Sequence, residues 1–168
     1  MFQSQEAVYG FKSVLQSFME VEHENLAKII KIFDDDLNFY VISEDFDTIP
    51  LTDCVGQVKE YSENYVAEII RQCSAAILAL HSKDLFLGFI TMTQIEIIKE
   101  GSQEDPLLKL CGLEMGFAYL YGGFMPIASQ IFNAPEFLTG EITKEQDVWK
   151  VGVIMFILLT GNHQTNYD

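Results

Sequence analysis

Ala134-Pro135-Glu136, followed eleven residues on by Asp147-Val148-Trp149-Lys150-Val151-Gly152-Val153-Ile154, is the stretch on which the fold turns. The element Glu145 to Thr160 starts polar and then becomes apolar on all sides. A helix with no polar face is normally the buried centre of a larger body, so a central helix is predicted here. Its longest apolar run, Val151 to Leu159, is too short for a bilayer, which needs about 20 residues.

The rest of the chain supplies material for such a body. At 168 residues it suits one domain, and 49% apolar with 21% charged residues excludes an intrinsically disordered chain. Acidic residues outnumber basic ones 25 to 10, giving −15, which argues against nucleic acid or an anionic membrane as partner. Cys54, Cys73 and Cys111 are odd in number and lack C-x-x-C spacing. They point to a reducing intracellular compartment rather than a disulfide frame or a thiolate metal site. No basic-then-apolar leader opens the sequence, so no secretory signal is expected. His23, His81 and His163 are too dispersed for a metal site. Asp34-Asp35-Asp36 reads as a solvated turn, because an EF-hand loop would need Gly and Glu where Phe39 and Asp45 stand.

Upstream, Val8, Phe11, Val14, Leu15 and Phe18 give Glu6 to Val21 a helical stripe. Ala27 to Phe33 and Asn38 to Ser43 read as two strands of a hairpin, and Glu44 to Pro50 as a connector. Ser62 is placed to cap a helix in which Tyr65, Ile69, Ile70, Cys73, Ala76, Ile77 and Leu80 share a face, ending near His81. Leu85 to Ile98 reads as a small strand pair, Leu107 to Cys111 as a short strand, and Gly112 to Asn133 as a long apolar loop.

In this order the elements resemble a eukaryotic protein kinase, most like the calcium/calmodulin-dependent and calcium-dependent branch. Ala134-Pro135-Glu136 is close to the family's A-P-E, and Asp147 to Ile154 to its D-V-W-S-x-G-V-I helix. His23-Glu24-Asn25-Leu26 resembles the H-P-N-I after the regulatory helix, and Ile69 through Ser82 the long helix before the catalytic loop. The resemblance covers about Val14 to Gly161. It implies an α+β, partial kinase-like fold: regulatory helix, last small-lobe strands, hinge, and a helical large lobe up to its central helix. The glycine-loop strands and terminal helices are missing. Residues 1–45 would be the small-lobe remnant and 46–168 the truncated large lobe.

The resemblance assigns positions one at a time. The family's H-R-D-L-x-x-x-N falls on Leu87 to Gln94, so Phe89 stands at the base and Gln94 at the magnesium-binding Asn. Leu108-Lys109-Leu110-Cys111 leads into Gly112, which stands at the Asp of D-F-G. Val14 falls where the regulatory helix carries its Glu. The thirteen residues before it are too few for a glycine loop and the strand bearing the phosphate-binding Lys. These departures imply no enzyme, no cofactor and no metal: a pseudokinase. Phe18, Ile29, Leu87 and Leu113 match the apolar stack that links the lobes, with Asp147 anchoring its base.

The family's later helices cover the central helix and supply an Arg to Glu136. Their lack implies an exposed apolar surface on Val148, Trp149, Val151, Val153, Ile154, Phe156, Ile157 and Leu158. Exposed patches of that size usually mean a partner. The expected function is therefore a catalytically inactive structural or protein-interaction subunit of a larger assembly. Its interface would draw on Trp149, Val153, Phe156, Ile157, Phe117 and Phe124, covered by other subunits or a second copy. The alternative is a regulatory pseudokinase that binds and modulates an active kinase or other enzyme. A third reading, an enzyme piece whose glycine loop and Lys come from another chain, meets Phe89 and Gly112 as obstacles.

Overall fold

Phe11, Leu15 and Phe18 bury one stripe of the first helix, α1 (Gln5–Met19), against the strands that follow. The computed structural model describes residues 5–35, 38–55, 61–99, 106–115, 131–139 and 143–161. After α1 come β1 (Ile29–Asp34), β2 (Phe39–Ser43), β3 (Thr48–Pro50), α2 (Leu51–Val55), α3 (Glu63–His81), β4 (Ile95–Ile98), β5 (Leu108–Leu110) and α4 (Glu145–Thr160). Short 3-10 turns lie at Met92–Gln94 and Pro135–Thr139.

β1 and β2 form an antiparallel pair in which Ile32 faces Val41 and Phe33 faces Tyr40. One face packs on α1: the Phe11 and Phe39 rings meet edge-on at 5.0 Å, and Lys12 Nζ donates to Asp34 Oδ1 at 2.7 Å. The other face carries the stacked Phe33 and Tyr40 rings, 4.8 Å apart. At the turn, Asp35 Oδ1 accepts from Asn38 N at 2.6 Å and its Oδ2 from Tyr40 Oη at 2.9 Å.

The second sheet differs from the expected strand pair within Leu85 to Ile98. β4 is its centre, with β3 on one side and β5 on the other, both antiparallel. Only Ile95–Ile98 of that stretch is strand; its partners lie far away in sequence. The supposed connector likewise contains β3. Pro50 can end a strand because β3 is an edge, and it leads directly into α2.

α3 begins as expected, with Ser62 Oγ accepting from Tyr65 N at 3.2 Å. It buries Ile69, Cys73, Ala76, Ile77 and Leu80 and packs against α4. α4 ends at Gly161, whose φ of 63° is the left-handed stop that glycine adopts without strain. The pattern of burial corrects one expectation about α4. Val151, Ile154, Ile157 and Leu158 are buried, with Ile157 only 5% exposed, so they form the core-facing stripe and cannot be an open interface. No sequence feature separates them from their neighbours, because the helix is apolar all round.

A polar clasp ties α1's following loop to both α3 and β5. Asn25 Nδ2 donates to Gln72 Oε1 (2.8 Å) and to Leu108 O (3.0 Å), and Leu108 N donates to the same Gln72 oxygen (3.1 Å). Gln72 Nε2 donates to Glu68 Oε1 (2.8 Å) and Pro106 O (2.5 Å). Backbone bonds Leu110 N to Asn25 O and Ala27 N to Leu110 O complete the join. Among the described residues no helix is long and apolar enough to cross a membrane.

Candidate functional site

Asp147, in the first turn of α4, organises the region. Its side chain is 0% exposed and takes three donors: Leu87 N at 2.8 Å, Gly88 N at 2.8 Å and His81 Nε2 at 3.0 Å. A carboxylate with no access to water needs such partners. Burial pushes its carboxyl up, and the bonds from His81, Leu87 and Gly88 act against that. The end of α3, the start of the 87–94 segment and the start of α4 are thereby fixed at one point. Gly88 has φ +63°, a conformation side chains rarely adopt, and its amide can reach Asp147 there.

The geometry beyond that anchor is filled by the chain's own groups. Phe89 follows Gly88 and is buried. Gln94 accepts from Thr91 N through Oε1 at 3.0 Å and donates from Nε2 to Gly112 O at 3.2 Å. Cys111 N donates to Gln94 O at 2.8 Å. Gly112 is left-handed at φ +62°; a Cβ there would meet Met115 Cγ at 3.4 Å and Gln94 Cγ at 3.7 Å. A phenyl ring, an amide whose oxygen is already engaged and a glycine do not make an oxygen cage for magnesium. Among the described residues no three His, Cys, Asp or Glu side chains gather as a metal site.

Phe18, Ile29, Leu87 and Leu113 are all buried in one apolar core. Trp149 (46% exposed) and Phe156 (60%) lie on the outer face of α4, whereas Val153 is half-buried and packs on the core. Phe117 and Phe124 lie outside the described residues. Glu136 is exposed on the 3-10 turn. An open cleft of about 450 Å³ lies between α1's loop and β2's end, rimmed by Glu22, Glu24 and Glu44 and by Lys28 and Lys109. Lys28 pairs with Glu22 there, and that hydrogen bond holds the Glu22 carboxyl below its usual range.

Three side chains outside the expected set matter here: His81, Gln72 and Lys150. His81 was legible only through its place beside Ser82 at the end of the long helix. Gln72 and Lys150 sit on helices as polar residues that sequence would assign to the surface, yet both are buried.

The family model of the protein kinase domain matches residues 11–167. The chain belongs to the protein kinase family. Calcium-dependent protein kinase 4 of Plasmodium berghei (strain Anka) is 27% identical over 154 residues, covering 88% of this chain and 29% of that protein. Calcium-dependent protein kinase 5 of Plasmodium falciparum (isolate 3D7) is 27% identical over 146 residues, covering 84% and 25%. Serine/threonine-protein kinase 33 of Bos taurus is 26% identical over 150 residues, covering 84% and 31%. Among solved structures, that of Rad53 1-466 in complex with AMP-PNP superposes with a TM-score of 0.76 at 22% identity, covering 95% of this chain and 40% of that one. The fold is a partial, α+β protein kinase fold similar to the calcium-dependent branch.

These findings overturn the expectation that the chain is not an enzyme. The matching family and the relatives named as protein kinases point to the enzyme class instead. Phe89, Gln94 and Gly112 describe three positions in a segment spanning 29% of the first relative. Side chains at three positions do not set the class of a protein of which the segment is similar to so small a share.

Proposed function

We propose that this segment supplies a protein-docking surface within a kinase-family protein, and that the outer face of α4 is that surface. At about 100° per residue, Val148, Trp149, Met155, Phe156 and Leu159 fall within a stripe roughly 120° wide, opposite the stripe packed on α3. All five are exposed. Gly152 lies in the middle of the stripe, and a Cβ there would touch nothing within 4 Å, so the helix has a shallow notch between Trp149 and Phe156. Large apolar side chains on either side of such a notch suit an inserted apolar or aromatic group from another protein. The Asp147 anchor makes the platform rigid at its N-terminal end, so docking costs little ordering. The exposed stripe is the observation that carries the reading.

Phosphoryl transfer is a separate property, to which the kinship with named kinases points. The docking reading concerns what α4 binds. It is tested by placing a photo-crosslinking residue at Val148 or Met155 in the protein in its own cells, with exposed Leu78 on α3 as control. A protein adduct of defined mass from both α4 positions and none from Leu78 is expected. Adducts from Leu78 alone, or from no position, would contradict it.

A further inference from the structure

Gln94 closes the 3-10 turn Met92–Gln94, and its polar side chain is buried. A buried amide is tolerated when its donor and acceptor are both used. Here both are used, on two different segments. Its Oε1 accepts from Thr91 N at 3.0 Å, the reach back across the turn that a capping side chain makes. Its Nε2 donates to Gly112 O at 3.2 Å, just beyond β5. The backbone repeats the connection, with Gln94 N donating to Thr91 O at 3.1 Å and Cys111 N to Gln94 O at 2.8 Å. Gly112 O also accepts from Met115 N at 3.0 Å, so two donors face that carbonyl. Gly112 brings no side chain to contend with the amide; a Cβ there would lie 3.8 Å from Gln94 Nε2.

We infer that Gln94 is a positioning residue whose amide joins the Thr91–Gln94 turn directly to Gly112, a join made by protein atoms and indifferent to divalent cations. The resemblance to the kinase family sets these two residues at its magnesium-binding Asn and Asp. Here the amide connects the two segments instead, and its length decides the matter. Asn is one methylene shorter, about 1.5 Å, so its amide could not reach Thr91 N and Gly112 O together. A carboxylate at 94 would keep the reach to Thr91 N but set an oxygen against Gly112 O. The oxygens of the join are neutral and already face N–H groups, whereas a magnesium site is built on one or two carboxylates. The class of the protein rests on kinship along the chain and is a separate matter.

The test is amide exchange at Thr91 and Cys111 in the full chain, in magnesium chloride and in sodium chloride of equal ionic strength with EDTA. In the native protein the two conditions should agree within about twofold at both amides. Gln94→Asn should speed exchange at both about fivefold, as loss of a hydrogen bond does, whether or not magnesium is present. Gln94→Glu separates the two halves of the join. Cys111 should then exchange about fivefold faster while Thr91 stays as protected as in the native protein. Protection that magnesium raises in the native protein would overturn the inference. So would an Asn variant indistinguishable from the native protein, or a Glu variant that exposes Thr91 as much as Asn does. The comparison of the two salts uses the native protein alone, so it stays decisive if a variant does not fold.

Discussion

Replacing Asp147 by Asn tests the anchor on which the whole region rests. The side chains are nearly the same size, so packing is preserved and the change is confined to hydrogen bonding. The carboxylate accepts from two backbone amides, one on each oxygen, and from His81. An amide offers one oxygen, so either Leu87 N or Gly88 N must face an NH₂ group. A buried donor left without an acceptor costs about 1–3 kcal/mol, and loss of the bond from His81 adds about 1 kcal/mol. The penalty that burial imposes on the Asp147 charge is relieved at the same time, which offsets part of this. A net loss of about 2–3 kcal/mol is expected, or about 6–9 °C in Tm for a chain of this size. Urea unfolding followed by Trp149 fluorescence measures the first number, and amide exchange at Leu87 and Gly88 locates the damage. A stability change under about 0.5 kcal/mol, within the range of ordinary surface substitutions, with both amides as protected as before would refute the reasoning.

Other consequences are as direct. Gln72→Leu removes the centre of the clasp, stranding Leu108 N and Pro106 O, and should cost about 2–4 kcal/mol by chemical denaturation. Glu68 is held at about 2, against 4.5 for a free carboxyl, by bonds from Arg71 and Gln72. Its contribution is therefore complete above pH 4.5 and lost as pH falls toward about 2, so Glu68→Gln should flatten the acid limb of the stability profile while leaving its neutral slope alone. Cys73 is buried, and burial pushes its thiol up to about 12. Its alkylation by iodoacetamide at pH 8 should run at the rate of global unfolding; faster reaction would mean that α3 opens locally.

The helices were legible where local chemistry is strong. Ser62 announced the start of α3, and the apolar run from Val151 announced α4. β1 and β2 could be read because their partners lie across one turn. β3 and β4 could not, since Thr48 pairs with Ile98 and nothing local records that. Pro50 looked like a break although an edge strand tolerates it. For the site, the order of motifs led to Asp147, but not to what it binds, because Leu87 and Gly88 contribute only backbone. Burial of Gln72 and Lys150 depends on tertiary neighbours, and so does the difference between Ile157, which is buried in the core, and Phe156 beside it, which is exposed. The class of the protein was misjudged by weighting Phe89, Gln94 and Gly112 over kinship along the whole chain.

The docking role of α4 is tested most directly by native mass measurement of the protein isolated from its own source, compared with a Trp149→Ser, Phe156→Ser variant. Both side chains point away from the core, so the variant should fold normally. The account predicts a stoichiometric complex with another protein for the natural chain and its loss in the variant. The same single-chain mass for both, or a complex that survives the double change, would contradict it.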